Sequence, residues 1–341
     1  MLNFSQTILE IVDKIEIEQK FSVRHPDYPP LELKPDLITR IERISPQLQA
    51  KYLIIQVQNY LYNIYFSHSS MSIQELDVIA KQLTPTKNNI INGIDIELCL
   101  RLQQSNTSNG YIDPDWQVVA ETNDELIVVK DGLHLHIDRQ QYLPKLQQAD
   151  IGDLIPNYLP HNLVGRDTYI AVGNLGSPDR AKSVEIYFNF TPNAAVAIAQ
   201  KLTSELNRLS IPFQFAILHD PALFYRYDAG TLWLPQTGYL AVQTVLAEIY
   251  QAHQAEFTPD VPLFTKQLAP GLGIAEVSNT PSSFGMQRCQ LLAIGLLTAM
   301  KQGKTLASDK LDTIRNEFAT AGIDWMQPDL HPSASDWDIV E

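Results

Sequence analysis

Apolar residues at Ile8, Ile11, Val12 and Ile15 recur every three or four positions, the spacing of one helix face. The Pro-rich stretch from His25 to Pro30 is expected to end that helix as a loop. Pro46 then opens a longer predicted helix over Gln47–Phe66, whose Tyr52, Tyr60, Tyr62 and Tyr65 read as a core face with wet hydroxyls. Leu98–Gln103 reads as the end of another helix. Residues 1–105 are therefore expected to be a mostly helical N-terminal region.

The pattern changes at Asn106. SNTSNGYIDPDW is turn chemistry, with Asn109-Gly110 and Asp113-Pro114 as its clearest signals. Alternation then predicts strands at Trp116–Glu121, Leu126–Lys130 and Leu133–Asp138, the last two joined by a tight Asp131-Gly132 turn. Further strands are expected at Tyr169–Val172, Val184–Phe190, Phe213–Leu218 and Thr231–Leu234. Ala195, Ile198, Ala199, Leu202 and Leu206 return to helical spacing. Helices at about 237–254, 283–301 and 308–320 close the chain, with Ser282 or Ser283 capping the second and Ser308 starting the third. Strands arrive in clusters rather than alternating with helices, which predicts an α+β fold. Its expected form is a helical N-terminal region packed on a mixed, largely antiparallel sheet with C-terminal helices. The α+β domain is assigned to 106–325 and a loosely held acidic tail to 326–341.

Composition narrows the partners. Hydrophobic residues at 45% and charged ones at 19% fit a globular chain rather than a disordered one. Lys and Arg number 25 against 39 Asp and Glu, a net charge of −14. Such a field repels nucleic acid and anionic lipid, so any phosphate must be held by a local basic cluster. The longest nearly apolar run, in Leu291–Met300, is about ten residues, too short to span a bilayer. The N-terminus carries acidic residues through its apolar stripe, unlike a signal peptide. A soluble, cytoplasmic protein is expected. Cys99 and Cys289 read as buried free thiols.

Candidate chemistry concentrates in three places. VPLFTKQLAPGLGIAEVSNTPSSFGMQRC sets Gly271 and Gly273, which mark positive φ or close backbone approach, beside Lys266, Glu276 and Arg288. His134 and His136 alternate on one strand face; with no third ligand at readable spacing zinc is not expected, and His136 is a candidate acid or base. Arg226 and Asp228, two apart in a link between strands, let the carboxylate orient a guanidinium whose fork suits phosphate. An isolated pair of this kind is more often structural, and its weight as a site increases only if Lys130, Lys266 or Arg288 converges on it.

The ordered motifs SNTSNGYIDPDW, VVKDGLHLHI, YIAVGN, VEIYFNFTPNAAVAI, IPFQFAILHDP, YRYDAGTLWL, VPLFTKQLAPGLGIAE and SFGMQRC resemble the HopA-type effector family, most closely its cyanobacterial branch. The likeness runs from about Pro46 to Phe318. It implies an α+β fold and a place beside a kinase-like partner in the modification of ribosomal peptides. There the partner phosphorylates Ser or Thr, and the HopA-like component eliminates phosphate without metal or cofactor. Such chemistry needs a base for the α-proton and cations for the departing phosphate. Lys130 and His136 are the candidate catalytic residues; Arg226, Asp228, Lys266 and Arg288 are the candidate substrate-binding residues, expected to face one cleft. Ala216 departs from the pattern, because the resemblance implies a lysine there. That leaves a second expectation, a non-catalytic phosphopeptide- or protein-binding module of the same fold.

Overall fold

A seven-stranded antiparallel sheet organises the computed structural model, which describes residues 4–18, 21–72, 74, 90–91, 94–122, 124–138, 149–165, 167–277 and 283–332. The chain enters with α1 (Phe4–Lys14), followed by β1 (Glu16–Glu18), β2 (Ser22–His25) and β3 (Tyr28–Leu31). These three strands form a small antiparallel sheet where a loop was expected, so the N-terminal region is not purely helical. Pro29 and Pro30 fit because β3 is an edge strand, where a missing N–H breaks no ladder. Next come α2 (Pro35–Ile41) and α3 (Pro46–Leu61), the latter capped by the Ser45 hydroxyl accepting from the Leu48 N–H. One wider π turn, Tyr62–Phe66, continues α3.

Short strands β4 (Ile90–Ile91) and β5 (Ile94–Asp95) lead into α4 (Ile96–Ser105). A four-stranded antiparallel sheet follows, made of β6 (Tyr111–Glu121), β7 (Glu125–Lys130), β8 (Leu133–Asp138) and β9 (Leu154–Leu159) in the order β8-β7-β6-β9. The β7–β8 turn is the expected tight one: Asp131 and Gly132 have φ of 50° and 80°, both positive as a type I′ hairpin requires. Trp116, Val118, Leu126, Val128 and Ile155 give this sheet its own small core.

The large sheet comprises β10 (Asn162–Val164), β11 (Thr168–Val172), β12 (Ser183–Phe188), β13 (Gln214–Leu218), β14 (Gly230–Pro235), β15 (Lys266–Ala269) and β16 (Leu272–Glu276). Its order is β10-β11-β13-β14-β12-β16-β15. Helices α5 (Pro192–Arg208) and α6 (Tyr239–His253) contribute to the core on one face, while α7 (Phe284–Lys301) and α8 (Ala307–Thr320) join α1 and α3 in the core on the other. Central β12 is buried at every residue, as a strand covered on both faces should be. Its even positions Val184, Ile186 and Phe188 enter the α5–α6 core, and truncating a buried ring such as Phe188 costs about 3–5 kcal/mol. Its odd positions turn Glu185 and Tyr187 to the opposite face, so strand alternation places a carboxyl group inside the layer.

The stretch 326–341 was expected to be loosely held. Residues 328–331 are instead tied down by hydrogen bonds from Arg288 and to Glu276, and 333–341 lie outside the described residues. Helix α8 starts at Ala307 with Leu306 as its N-cap, not at Ser308, and Ser283 caps α7 through the Met286 N–H. Cys289 is a buried thiol, while Cys99 is only half-buried. Among the described residues no helix is long and apolar enough to cross a membrane.

Candidate functional site

The polar face of the large sheet is built around Glu185. Register pairs Glu185 with Trp233, so the Trp233 Nε1–H donates across the strands to Glu185 Oε1 at 2.7 Å. Tyr187, two residues on and hence on the same face, donates its hydroxyl to Glu185 Oε2. Both carboxyl oxygens are satisfied, as burial at 2% exposure demands. Burial nevertheless raises the Glu185 pKa, against the opposing pull of those two hydrogen bonds and of Arg180. The Arg180 guanidinium lies 5.5 Å from the centre of the Trp233 ring.

Tyr62 begins the π turn; its ring stacks on Phe66, which meets Tyr187 edge-on at 5.4 Å. Burial drives the Tyr62 pKa up, and the neighbouring Asp228 charge adds to it. The link between β13 and β14 docks on this turn: the Tyr227 N–H donates to the Ser67 carbonyl and the Tyr225 hydroxyl to the Ser69 carbonyl. In that link Asp228 grips Arg226 in a fork, Nε to Oδ1 at 2.8 Å and Nη2 to Oδ2 at 2.9 Å. Burial pulls the guanidinium pKa down, but the Asp228 hydrogen bond and charge more than restore it. Arg226 Nη1 makes no hydrogen bond among the described residues, and the side chain keeps 18% of its surface exposed. The guanidinium is thus fixed, charged and open at one end.

The other sequence-predicted residues are committed elsewhere. Lys130 Nζ binds both Asp113 oxygens at 2.9 Å and the Pro114 carbonyl at 2.8 Å, within the four-stranded sheet. His136 is exposed on β8 and contacts Glu125 at 3.1 Å. Arg288 is buried on α7: Nε reaches the Pro328 carbonyl at 2.7 Å, Nη2 the Leu330 carbonyl at 2.8 Å, Nη1 the Gln287 side chain at 3.0 Å. Burial lowers its pKa to about 10 despite Asp329 and Glu276 nearby. Lys266, on edge strand β15, helps line a cavity of about 420 Å³ with α6 residues such as Tyr239 and Tyr250. The expected convergence of four cations on one cleft is therefore not what these contacts describe. Lys130 and Arg288 are satisfied by partners close in space that sequence spacing does not reveal.

Ala216 pairs with Ile170 and Thr231 on the sheet face opposite Phe215 and Ile217, and is 7% exposed. Gly271 and Gly273 have the backbone roles read from sequence. Gly271 takes φ 77°, and a Cβ on Gly273 would lie 2.7 Å from Thr265 Oγ1. Sequence reasoning missed Glu185; its signal was a lone acid at an inward position of an otherwise apolar strand.

One trio has metal-like proximity: Glu10, His25 and Asp27 offer ligand atoms within 4.8 Å of one another. Lys14 fills it, bound to Glu10 at 3.0 Å and Asp27 at 2.7 Å. His25 Nδ1 accepts the Asp27 N–H and Nε2 meets the Tyr65 hydroxyl, so neither ring nitrogen is open to a metal.

The HopA1 effector protein family model matches residues 159–330, just over half of the chain. Two solved structures are similar to it. The effector protein from Pseudomonas syringae pv. tomato strain DC3000 shares 14% identity at a TM-score of 0.43, with 86% of this chain and 94% of that chain covered. The effector protein from Pseudomonas syringae pv. syringae strain 61 has the same identity and TM-score, with 76% and 93% covered. No curated protein matched.

Proposed function

The chain belongs to the HopA1 effector protein family, and we propose that within it this member binds a phosphorylated Ser or Thr side chain of a peptide at Arg226 without eliminating the phosphate. The observation that carries this reading is the Arg226 fork: Asp228 orients the guanidinium, and Nη1 remains for a phosphate oxygen. Arg226 stays charged beside Tyr62, because Asp228 offsets its burial, and it supplies a local donor for an anion on a chain of net charge −14. The bases read from sequence are committed elsewhere. The Lys130 amine is spent on Asp113, His136 is exposed in a separate sheet, and Ala216 stands where the resemblance implies a lysine.

The elimination reading has one observation in its favour. Glu185 is a carboxyl group of raised pKa on the same sheet face, the type of group that serves as acid or base. Its burial and two internal hydrogen bonds argue against contact with substrate. In either reading a kinase-like protein would supply the phosphorylated peptide in the cytoplasm, and the chain would belong to a cyanobacterial branch of the family.

The test is a calorimetric titration with a phosphoserine peptide and its serine counterpart. Binding of the phosphopeptide alone, weakened by salt, is expected; equal affinity for both would overturn the proposal.

A further inference from the structure

A cavity of about 710 Å³ lies between the N-terminal region and the 260–267 segment. It is lined by Tyr28, Tyr65, Tyr227 and Phe264 together with Glu10 and Asp260. No Lys or Arg is among its described lining residues. Glu10 is balanced by Lys14 through Oε1. Asp260 is exposed and makes no salt bridge among the described residues. His25, bonded to Tyr65, is held neutral at pH 7 because burial lowers its pKa, so it does not oppose a cation.

The backbone around the cavity is unusual at two independent places. Phe264 has φ 75°, a left-handed conformation that is strained for a bulky residue and persists only where surrounding structure enforces it. Ile64 and Tyr65 line the cavity from the π turn, a form of helix that often marks functional sites. The Phe264 ring packs against Phe4 and Phe318.

We propose that this cavity binds the lysine or arginine side chain of a basic peptide segment. Ring faces attract a cation through their quadrupole, and Asp260 supplies the countercharge at the exposed edge. The lining explains the choice of occupant: an anion would meet the Asp260 carboxylate, which makes no salt bridge among the described residues. The whole-chain charge of −14 favours approach of a basic segment at low salt. This inference does not depend on what Arg226 binds.

The experiment uses the full chain and three capped tripeptides, Gly-Lys-Gly, Gly-Arg-Gly and the neutral control Gly-norleucine-Gly, followed by saturation-transfer NMR. The two cationic peptides should bind about fivefold or more tightly than norleucine. That preference should fall in Asp260→Asn, which alters an exposed side chain, and in Tyr227→Leu, with melting temperature checked for both. Equal affinity for the norleucine peptide would mean a merely apolar cleft and overturn the proposal. So would absence of saturable binding, or a preference for cations that persists in both variants.

Discussion

Replacing Arg226 separates its role in the fold from its role toward a ligand. The Arg226 and Asp228 side chains are 18% and 9% exposed, so the pair is mostly removed from water. Arg226→Ala strands the Asp228 carboxylate without its two hydrogen bonds, an expected loss of about 2–4 kcal/mol in folding stability. Arg226→Lys keeps the charge and one hydrogen bond and should cost about 1–2 kcal/mol. Toward phosphate the ranking is less forgiving, because a lysine cannot hold Asp228 and present an oriented donor together. Affinity for a phosphoserine peptide should fall by about 1–3 kcal/mol in Arg226→Lys. Asp228→Asn retains one acceptor and removes the competing charge; it should lower stability while phosphopeptide affinity is kept or raised. Urea unfolding and phosphopeptide titration on the same preparations give both quantities. If stability drops in Arg226→Lys and Arg226→Ala while binding stays at the parent value, the pair is purely structural and the phosphate assignment is wrong.

Glu185→Gln should be more stable than the parent at neutral pH. The folded pKa lies above the ordinary carboxylate value, so the folded state retains a proton that the unfolded chain releases, and stability falls as pH rises through that interval. The glutamine amide can accept from Trp233 and donate to Tyr187, so the variant's advantage should vanish below the ordinary value; melting curves across pH check it. Arg288→Met should free the 328–331 segment, seen as faster proteolysis there, with a loss of about 1–3 kcal/mol from the missing hydrogen bonds. Ala216→Lys should lower stability by about 2–4 kcal/mol, because its site between Ile170 and Thr231 is 7% exposed, and should release no phosphate from a phosphopeptide.

Local patterns carried most of the secondary structure. The alternation in 183–188, the Asp131-Gly132 turn and the 3.6-residue repeat of α5 all depend on neighbours along the chain, and these were legible. The N-terminal sheet was not, since Pro29 and Pro30 signal a loop until β3 is known to be an edge. The candidate site was less legible for a related reason. Lys130 and Asp113 are 17 apart, Arg288 and Pro328 are 40 apart, and nothing in their spacing says that they meet. Arg226 and Asp228 form a pair two residues apart, so this one ion pair was readable in advance. Glu185 shows the converse: its isolation among apolar residues was visible, but Trp233, the donor that makes its burial tolerable, is 48 residues away.

Phosphorus NMR of a phosphoserine peptide mixed with the protein tests the central claim most directly, because one spectrum reports binding and chemistry together. The account predicts a saturable shift of the phosphoserine resonance, lost in Arg226→Ala, with no inorganic phosphate signal growing over time. A growing inorganic phosphate signal that depends on the protein, or a resonance equally unmoved by parent and variant, would contradict it.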